Sequence, residues 1–440
     1  MRRAHPLEQA VGIDHYVSDE DGIGGHLKET ASDFRVIELE DIDPEPLDAD
    51  PAAYGHLVIR ATLTGWDTYA FATRLARELG VHRDAIRWAG TKDRSAITTQ
   101  LMSIPGVTPA ELPSIENASI EAVGRFGRGL HFGDLVGNTF KIRVRNPTAP
   151  GHHRPITEAL RQFGGDDREA VPNYFGPQRF GSIRPITHRV GLAILEEDWE
   201  AAVMTYLGQP TEYEPPDTQA ARTYVEETRD WAGALERFPR ALDHERRLLR
   251  RLSTASNTDS GTFRDALEAL PRTLRELFVH AVQSYLFNRI LSARLEADLP
   301  LTRAVEGDIV CFSRETETLG WVPDPTHAQS VTADRLDIMD RHIRRGRAHL
   351  TLPLVGSETA LAAGAPGGIE RDVLAEAGIE PSDFDLPEPY GSSGTRRAAV
   401  LRTSIEIEED PLEFRFSLPS GSYATVVMRE YLKVSPLDLG

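Results

Sequence analysis

The sequence predicts an α+β protein whose strand-built first domain is interrupted by a mainly helical insertion. Three observations predict it. Alternating, β-branched segments fill the first 145 residues, apolar residues at helical spacing dominate the middle, and strand character returns after residue 396. Within GHLKETASDFRVIE (25–38), Phe34, Val36 and Glu38 fall on one side of a strand. An acidic, proline-bearing loop follows at 41–53, then a strand at 56–63 (HLVIRATL) and an amphipathic helix at 68–79 with Phe71, Leu75 and Leu79 inward. Short strands are expected at 84–89 (DAIRWA), 96–104 (AITTQLMSI) and 137–145 (GNTFKIRVR).

Helical periodicity then covers 154–163, 187–207, 218–238 and 272–296. In the last of these, Leu274, Leu277, Phe278, Ala281, Tyr285 and Leu286 share a face and read as core. Strand-like pieces follow at 308–313 and 349–354, with glycine-rich turns or linkers at 364–368 and 391–395. Strands are expected again at 398–407, 413–418 and 423–428. The division is thus a first domain over 1–170, an insertion over 171–395 and a return over 396–440.

A chain of 440 residues can bury two cores. No apolar stretch approaches the roughly 20 residues that span a membrane, and the opening MRRAHPLEQAVG lacks the apolar segment of a signal peptide, so a cytoplasmic protein is expected. The single cysteine, Cys311, excludes an intrachain disulfide and a cysteine-based zinc site. None of the 14 histidines forms an H-E-x-x-H pair, and no metal is expected.

The net charge is −19, and only four of the 49 cationic residues are lysine. Such an acidic, arginine-dominated chain resembles proteins of salt-loving archaea. Its charge disfavours a nucleic-acid partner in dilute buffer, but at 1 M salt the Debye length is about 3 Å and net charge is not felt at a distance. An RNA binder there relies on contact hydrogen bonds, stacking and shape, since counterion release contributes little. The lysines, Lys28, Lys92, Lys141 and Lys433, each lie in or beside a distinctive motif, as if those places need a compact ammonium rather than a planar guanidinium. Arginine clusters at 246–251 (RRLLRR) and 341–347 (RHIRRGR) read as solvated helix faces more readily than as RNA contacts.

The densest chemistry lies in GTKDRSAITTQ (90–100), where Asp93 stands between Lys92 and Arg94 on a loop joining two strands. Flanking cations keep such a carboxylate ionised, as a nucleophile requires, although a surface turn with a local ion pair has the same pattern. A guanine-binding TKxD element is excluded because Lys92 and Asp93 are adjacent and no G-x-x-x-x-G-K-[ST] loop occurs. In GNTF, Asn138 and Phe140 are two apart and share a strand face, suited to hydrogen-bonding and stacking a planar base. Taken alone, the segment reads more readily as a core phenylalanine and a turn-forming asparagine.

These runs, with LKETASDFRVIE, VPNYFGPQRFG, HAVQSYLFNRILSAR and LPSGSYATVVMREYL, occur in the same order along the whole chain as in the TruD family of tRNA pseudouridine synthases, which the sequence resembles. The resemblance implies a catalytic domain on a largely antiparallel sheet, interrupted by the helical TRUD domain. It implies Asp93 as the catalytic nucleophile and Phe140 and Asn138 as the lining of a uracil pocket. Lys28, Phe34 and Glu38 match an element beside the active site, and the segments 173–181 and 283–288 brace the cleft. Asp67 stands where the family often has Asn, and Thr91 varies. The implied substrate is tRNA, at the uridine of position 13, and the implied protein is a monomer.

Isomerising uridine exchanges an N1–C1′ bond for a C5–C1′ bond without net redox change or hydrolysis, so no cofactor is expected. The carboxylate of Asp93 can add at C6 of the base or at C1′ of the ribose, and sequence does not choose. Near it a cation is needed; Lys28 is preferred over Lys92, whose side chain as a neighbour of Asp93 is expected to point away, to RNA phosphate or the core. Two other readings remain at this stage: an RNA-binding protein or chaperone that flips and stacks a base without isomerising it, and a hydrolase that releases free uracil.

Overall fold

The computed structural model describes residues 1–92, 94–165, 168–181, 183–257 and 259–439. Its first sheet is built from β1 (Phe34–Glu40), β2 (His56–Thr64), β3 (Arg87–Trp88), β4 (Ile97–Pro105), β5 (Ala118–Phe126) and β6 (Leu135–Arg143). Next come β7 (Glu169–Pro172), β8 (Ile309–Thr316), β9 (Gly320–Ser330), β10 (Ala348–Leu354), β11 (Thr395–Ala398) and β12 (Val400–Thr403). The last two strands, β13 (Glu406–Glu409) and β14 (Leu412–Pro419), return to the first sheet. The order there is β13-β14-β6-β1-β4-β2-β5, with β3 on β4. Of its pairings among the described residues, only β1 with β4 is parallel. The middle of the chain forms a second sheet, β11-β10-β8-β9, and β7 pairs with β12.

One face of the first sheet is apolar and covered. Leu57, Ile59, Ala61 and Leu63 of β2, with Met102 and Ile104 of β4, pack on Phe71, Ala72 and Leu75 of the Thr68–Leu79 helix. That helix is where its period predicts. Asp67 caps its start by accepting from Ala70 N at 2.8 Å, and Gly80 at φ +66° ends it in the left-handed region. The helices of the middle pack around the 25-residue Arg272–Glu296 helix. Asn288 on it is fully buried, accepting from Phe175 N at 2.8 Å and donating to Val11 O and Phe175 O at 3.0 Å. The bracing segments 173–181 and 283–288 are therefore tied to each other and to the N-terminal segment. A second tie joins the chain's extremes: Arg429, enclosed with Glu8 and Glu430, bonds Glu8 Oε1 at 2.5 Å and His15 O at 3.1 Å.

Several local expectations are corrected. The helical run 187–207 is two helices, Thr187–Leu195 and Trp199–Leu207, because Glu197 takes φ +55° and Asp198 caps anew through Ala201 N at 2.9 Å. Likewise 218–238 divides into Pro216–Thr228 and Trp231–Arg237 at Arg229, φ +51°, and the cap Asp230. The strand at 84–89 shrinks to Arg87–Trp88, since 83–85 makes a 3-10 turn from His82. Strand 398–407 is broken between β12 and β13.

The glycines at 364–368 do not make a linker but open the Gly364–Ala377 helix. A Cβ on Gly367 would lie 1.9 Å from Ala362 O, so glycine serves close approach there. Finally, 423–428 is not a strand: Ala424–Leu432 is a helix whose nine residues are all buried, and a helix without a polar face hides its period. Among the described residues, no helix is long and apolar enough to cross a membrane.

Candidate active site

Register gathers the expected residues in the middle of the first sheet. Val36 of β1 lies opposite Phe140 of β6, which lies opposite Phe416 of β14; Glu38 lies opposite Asn138, which lies opposite Leu418. Side chains of one row share a face, so Phe34, Glu38, Asn138 and Phe140 come together. The Phe140 ring meets Phe34 edge-on at 6.2 Å between centroids and Phe416 at 5.6 Å. Only a margin of it, 6% exposed, reaches the surface. Asn138 Oδ1 is buried, and no donor among the described residues reaches it. An amide oxygen in that state is an acceptor held ready, since leaving it unfilled costs about 1–3 kcal/mol.

Beside this pair lies a buried ion pair. Lys92 Nζ stands 2.5 Å from Glu38 Oε1, with side chains 9% and 0% exposed. The Lys92 side chain thus turns inward onto Glu38, the core direction of the two expected for it. Burial pushes Glu38 up to about 7 against the pull of Lys92, and the neighbouring Glu40 carboxylate adds to the rise. Lys28, at φ +57°, holds its ammonium 4.8 Å from the centroid of the Phe34 ring.

The loop that carries Lys92 is fixed by residues that sequence reasoning did not assign to the site. Lys92 N donates to Thr68 Oγ1 at 2.8 Å, Thr68 Oγ1 donates to Gln100 Oε1 at 2.9 Å, and Gln100 Nε2 reaches Gly90 O at 3.5 Å. The relay ties the loop to the first residue of the Thr68–Leu79 helix and to the middle of β4. Asp67, set apart from the chemistry as a departure from the family pattern, caps the helix that presents Thr68. The signal for Thr68 was that it follows such a cap, and Gln100 closes the quoted run. At Gly90 a Cβ would sit 2.5 Å from Glu38 Oε1 and 3.0 Å from Lys92 Nζ, so the ion pair rests against bare backbone. Asp93, the expected nucleophile, lies outside the described residues. Among the described residues, no group of three or more His, Cys, Asp or Glu could hold a metal ion.

An aromatic ring, an amide oxygen that no donor among the described residues reaches and a buried carboxylate–ammonium pair thus lie together at one face of the sheet. Residues 10–431 match the family model described as tRNA pseudouridine synthase D (TruD). A protein of Halobacterium salinarum named "Probable tRNA pseudouridine synthase D" is 54% identical over 440 residues, all of both chains. Its namesake in Natronomonas pharaonis is 50% identical over 438 residues, 99% of each. A crystal structure of the TruD protein of Methanosarcina mazei superposes with a TM-score of 0.82 at 36% identity, over 99% of this chain and 100% of that one. The chain belongs to the TruD family, and its relatives at 50–54% identity are haloarchaeal, in keeping with its acidic composition.

Proposed function

We propose that the protein isomerises uridine to pseudouridine in tRNA, at position 13, with Asp93 as nucleophile and no cofactor. One observation carries the reading: a buried, unfilled amide acceptor on Asn138, flanked by Phe140 and by the Glu38–Lys92 pair, at the place where the loop 90–100 meets the sheet. A uracil N3–H is a donor that fills such an acceptor, and the Phe140 margin with Phe34 offers the base an apolar wall. The pair on Glu38 fixes Lys92 and with it the backbone that leads into Asp93.

In the reaction, the Asp93 carboxylate adds at C1′ or at C6 and the N1–C1′ bond breaks. The base turns, C5 bonds to C1′, the C5 proton leaves to solvent and N1 gains one. Exclusion of water keeps the detached uracil and the sugar intermediate from escaping. Lys28 and Lys92 both contact this cluster, Lys28 over the Phe34 ring and Lys92 on Glu38. Lys28 supplies the positive charge for the nucleophile in this reading, because the ammonium of Lys92 is engaged by Glu38.

The domain division belongs to the same proposal. Residues 1–170 and 396–440 form the catalytic domain around an inserted TRUD domain at 171–395, a reading supported by a first sheet drawn from 34–143 and 406–419. The β11 strand, at 395–398, pairs with β10 of the proposed insertion, and the boundary proposed at 395/396 falls within it. The protein works as a monomer in the cytoplasm, where its tRNA substrate is found.

The test is tritium release from an unmodified tRNA transcript carrying 5-tritiated uridine, in molar KCl. Release by the wild type, none by Asp93→Asn, and loss on changing the uridine at position 13 to cytidine are expected. Release by Asp93→Asn overturns the nucleophile, release from the cytidine transcript overturns the position, and free uracil among the products overturns isomerisation.

A further inference from the structure

A cavity of about 460 Å³ opens next to this site, where the start of β6 meets the sheet of the inserted segment. Leu135 belongs to both: it lines the cavity, and its Cδ2 lies 2.8 Å from where a Gly90 Cβ would be. It is three residues along β6 from Asn138, about 10 Å at roughly 3.4 Å per residue. The volume falls within the range of roughly 300–1,000 Å³ that suits a small ligand.

The lining has one unusual property. Its described residues include six arginines and no carboxylate, in a chain with 68 Asp and Glu against 49 Lys and Arg. Two of these arginines have a carboxylate partner among the described residues. Arg396 has Glu370 at 3.4 Å and Arg314 has Asp41 at 4.0 Å. Arg397, however, donates to Asn173 O at 3.2 Å, Asn173 Oδ1 at 2.6 Å and Gly421 O at 2.8 Å, all uncharged, and burial draws its pKa down to about 10. Also in the lining, Trp321 is 43% exposed, with the Arg347 guanidinium 5.9 Å from its ring centroid. Arg345 and Arg347 come from the 341–347 cluster, which sequence alone favoured as a solvated helix face.

We propose that this cavity is a second nucleotide pocket, which seats an unpaired nucleotide next to the target uridine, its base on Trp321 and its phosphate at Arg345. The inference rests on the RNA-modifying reading above. A protein of charge −19 in molar salt cannot draw RNA by its distant field, so anion binding has to be made at contact, inside walls that exclude ions. A wall whose described residues carry arginines and no carboxylate meets that condition, and a half-exposed indole supplies a stacking surface that tolerates any base. The substrate is therefore unstacked at two neighbouring positions, one read by Asn138 and one held here.

The test measures equilibrium binding of a fluorescent unmodified tRNA transcript to the full-length protein in molar KCl, by anisotropy. Trp321→Ala and Arg345→Glu are expected to weaken binding about ten-fold or more, and Arg344→Glu, next to Arg345 at the end of the Leu336–Arg344 helix but off the lining, by less than two-fold. An abasic residue on one side of the target uridine is expected to remove the difference between wild type and Trp321→Ala. Wild-type affinity in both lining variants, or full additivity with abasic residues on both sides, overturns the pocket. Binding of uridine monophosphate as tight as that of the transcript overturns its assignment to RNA. These readouts need no turnover: tritium release without Trp321 coupling defeats the pocket alone, and coupling without release defeats the isomerase reading alone.

Discussion

Replacing Glu38 with glutamine separates the charge of the buried pair from its shape. In the fold the Glu38 carboxyl stands at about 7 instead of the ordinary 4.5. At about 1.4 kcal/mol per pH unit, ionising it in place costs about 3 kcal/mol more than in the unfolded chain. Because the folded form holds its proton more tightly, stability is greatest below pH 4.5 on this account and is lost as pH rises through about 7. Between pH 5 and pH 8 the wild type should therefore lose about 2–3 kcal/mol that Glu38→Gln does not. Near pH 5 the wild-type carboxyl is itself protonated, and glutamine is its neutral isostere, so the two proteins should be similar in stability there. Near pH 8 the variant should be the more stable, because the attraction of Lys92 only partly offsets the cost of the buried charge. Denaturant unfolding in molar KCl at pH 5, 6, 7 and 8 reads the difference. Parallel pH profiles would refute the reasoning, since they would mean that Glu38 carries the same charge in folded and unfolded chains.

Gly90→Ala puts a methyl group 2.5 Å from Glu38 Oε1 and should cost about 1–3 kcal/mol and at least ten-fold in tritium-release rate; chemical unfolding and single-turnover assays check it. Thr68→Val removes both bonds of the relay to Lys92 N and Gln100 Oε1, so about 1–3 kcal/mol of stability and most of kcat should be lost, with circular dichroism unchanged. Lys433 Nζ is enclosed by Ser18 Oγ at 2.6 Å, Ser18 O at 2.9 Å and Glu20 O, a cage matched to an ammonium. Lys433→Arg should lower stability by about 1–3 kcal/mol, whereas Lys141→Arg, at a 48% exposed side chain, should stay within about 0.5 kcal/mol in the same unfolding assay.

What the sequence revealed follows from what is local. Period two placed Phe34 with Glu38 and Asn138 with Phe140, and a 3.6-residue period between Asp67 and Gly80 gave the Thr68–Leu79 helix to the residue. The pairing of Glu38 with Asn138 across β1 and β6 is a register, decided by residues a hundred positions apart, and no window shows it. Nor does any window show that Lys92 turns onto Glu38, or that Thr68 holds the loop. Tyr423 to Met428 misled for the opposite reason: its β-branched and aromatic residues suit a strand, but the helix there is buried on all sides, and packing outweighed propensity. Trp321 and the arginine wall were silent because the cavity is assembled from β6, β9 and the 396–402 segment, each unremarkable alone.

The buried tie between Glu8 and Arg429 has a consequence for the order of events during synthesis. The partners are separated by 421 residues, which at about 5–20 residues per second is roughly 20–80 s of translation. For that interval Glu8 lacks Arg429, and β6 lacks β14 on one side, so the first sheet stands with an open edge beside the candidate site residues. The helices around Arg272–Glu296 are complete long before. The first sheet, begun first, is thus closed late, once the Ala424–Leu432 helix emerges and brings Arg429 to the waiting carboxylate.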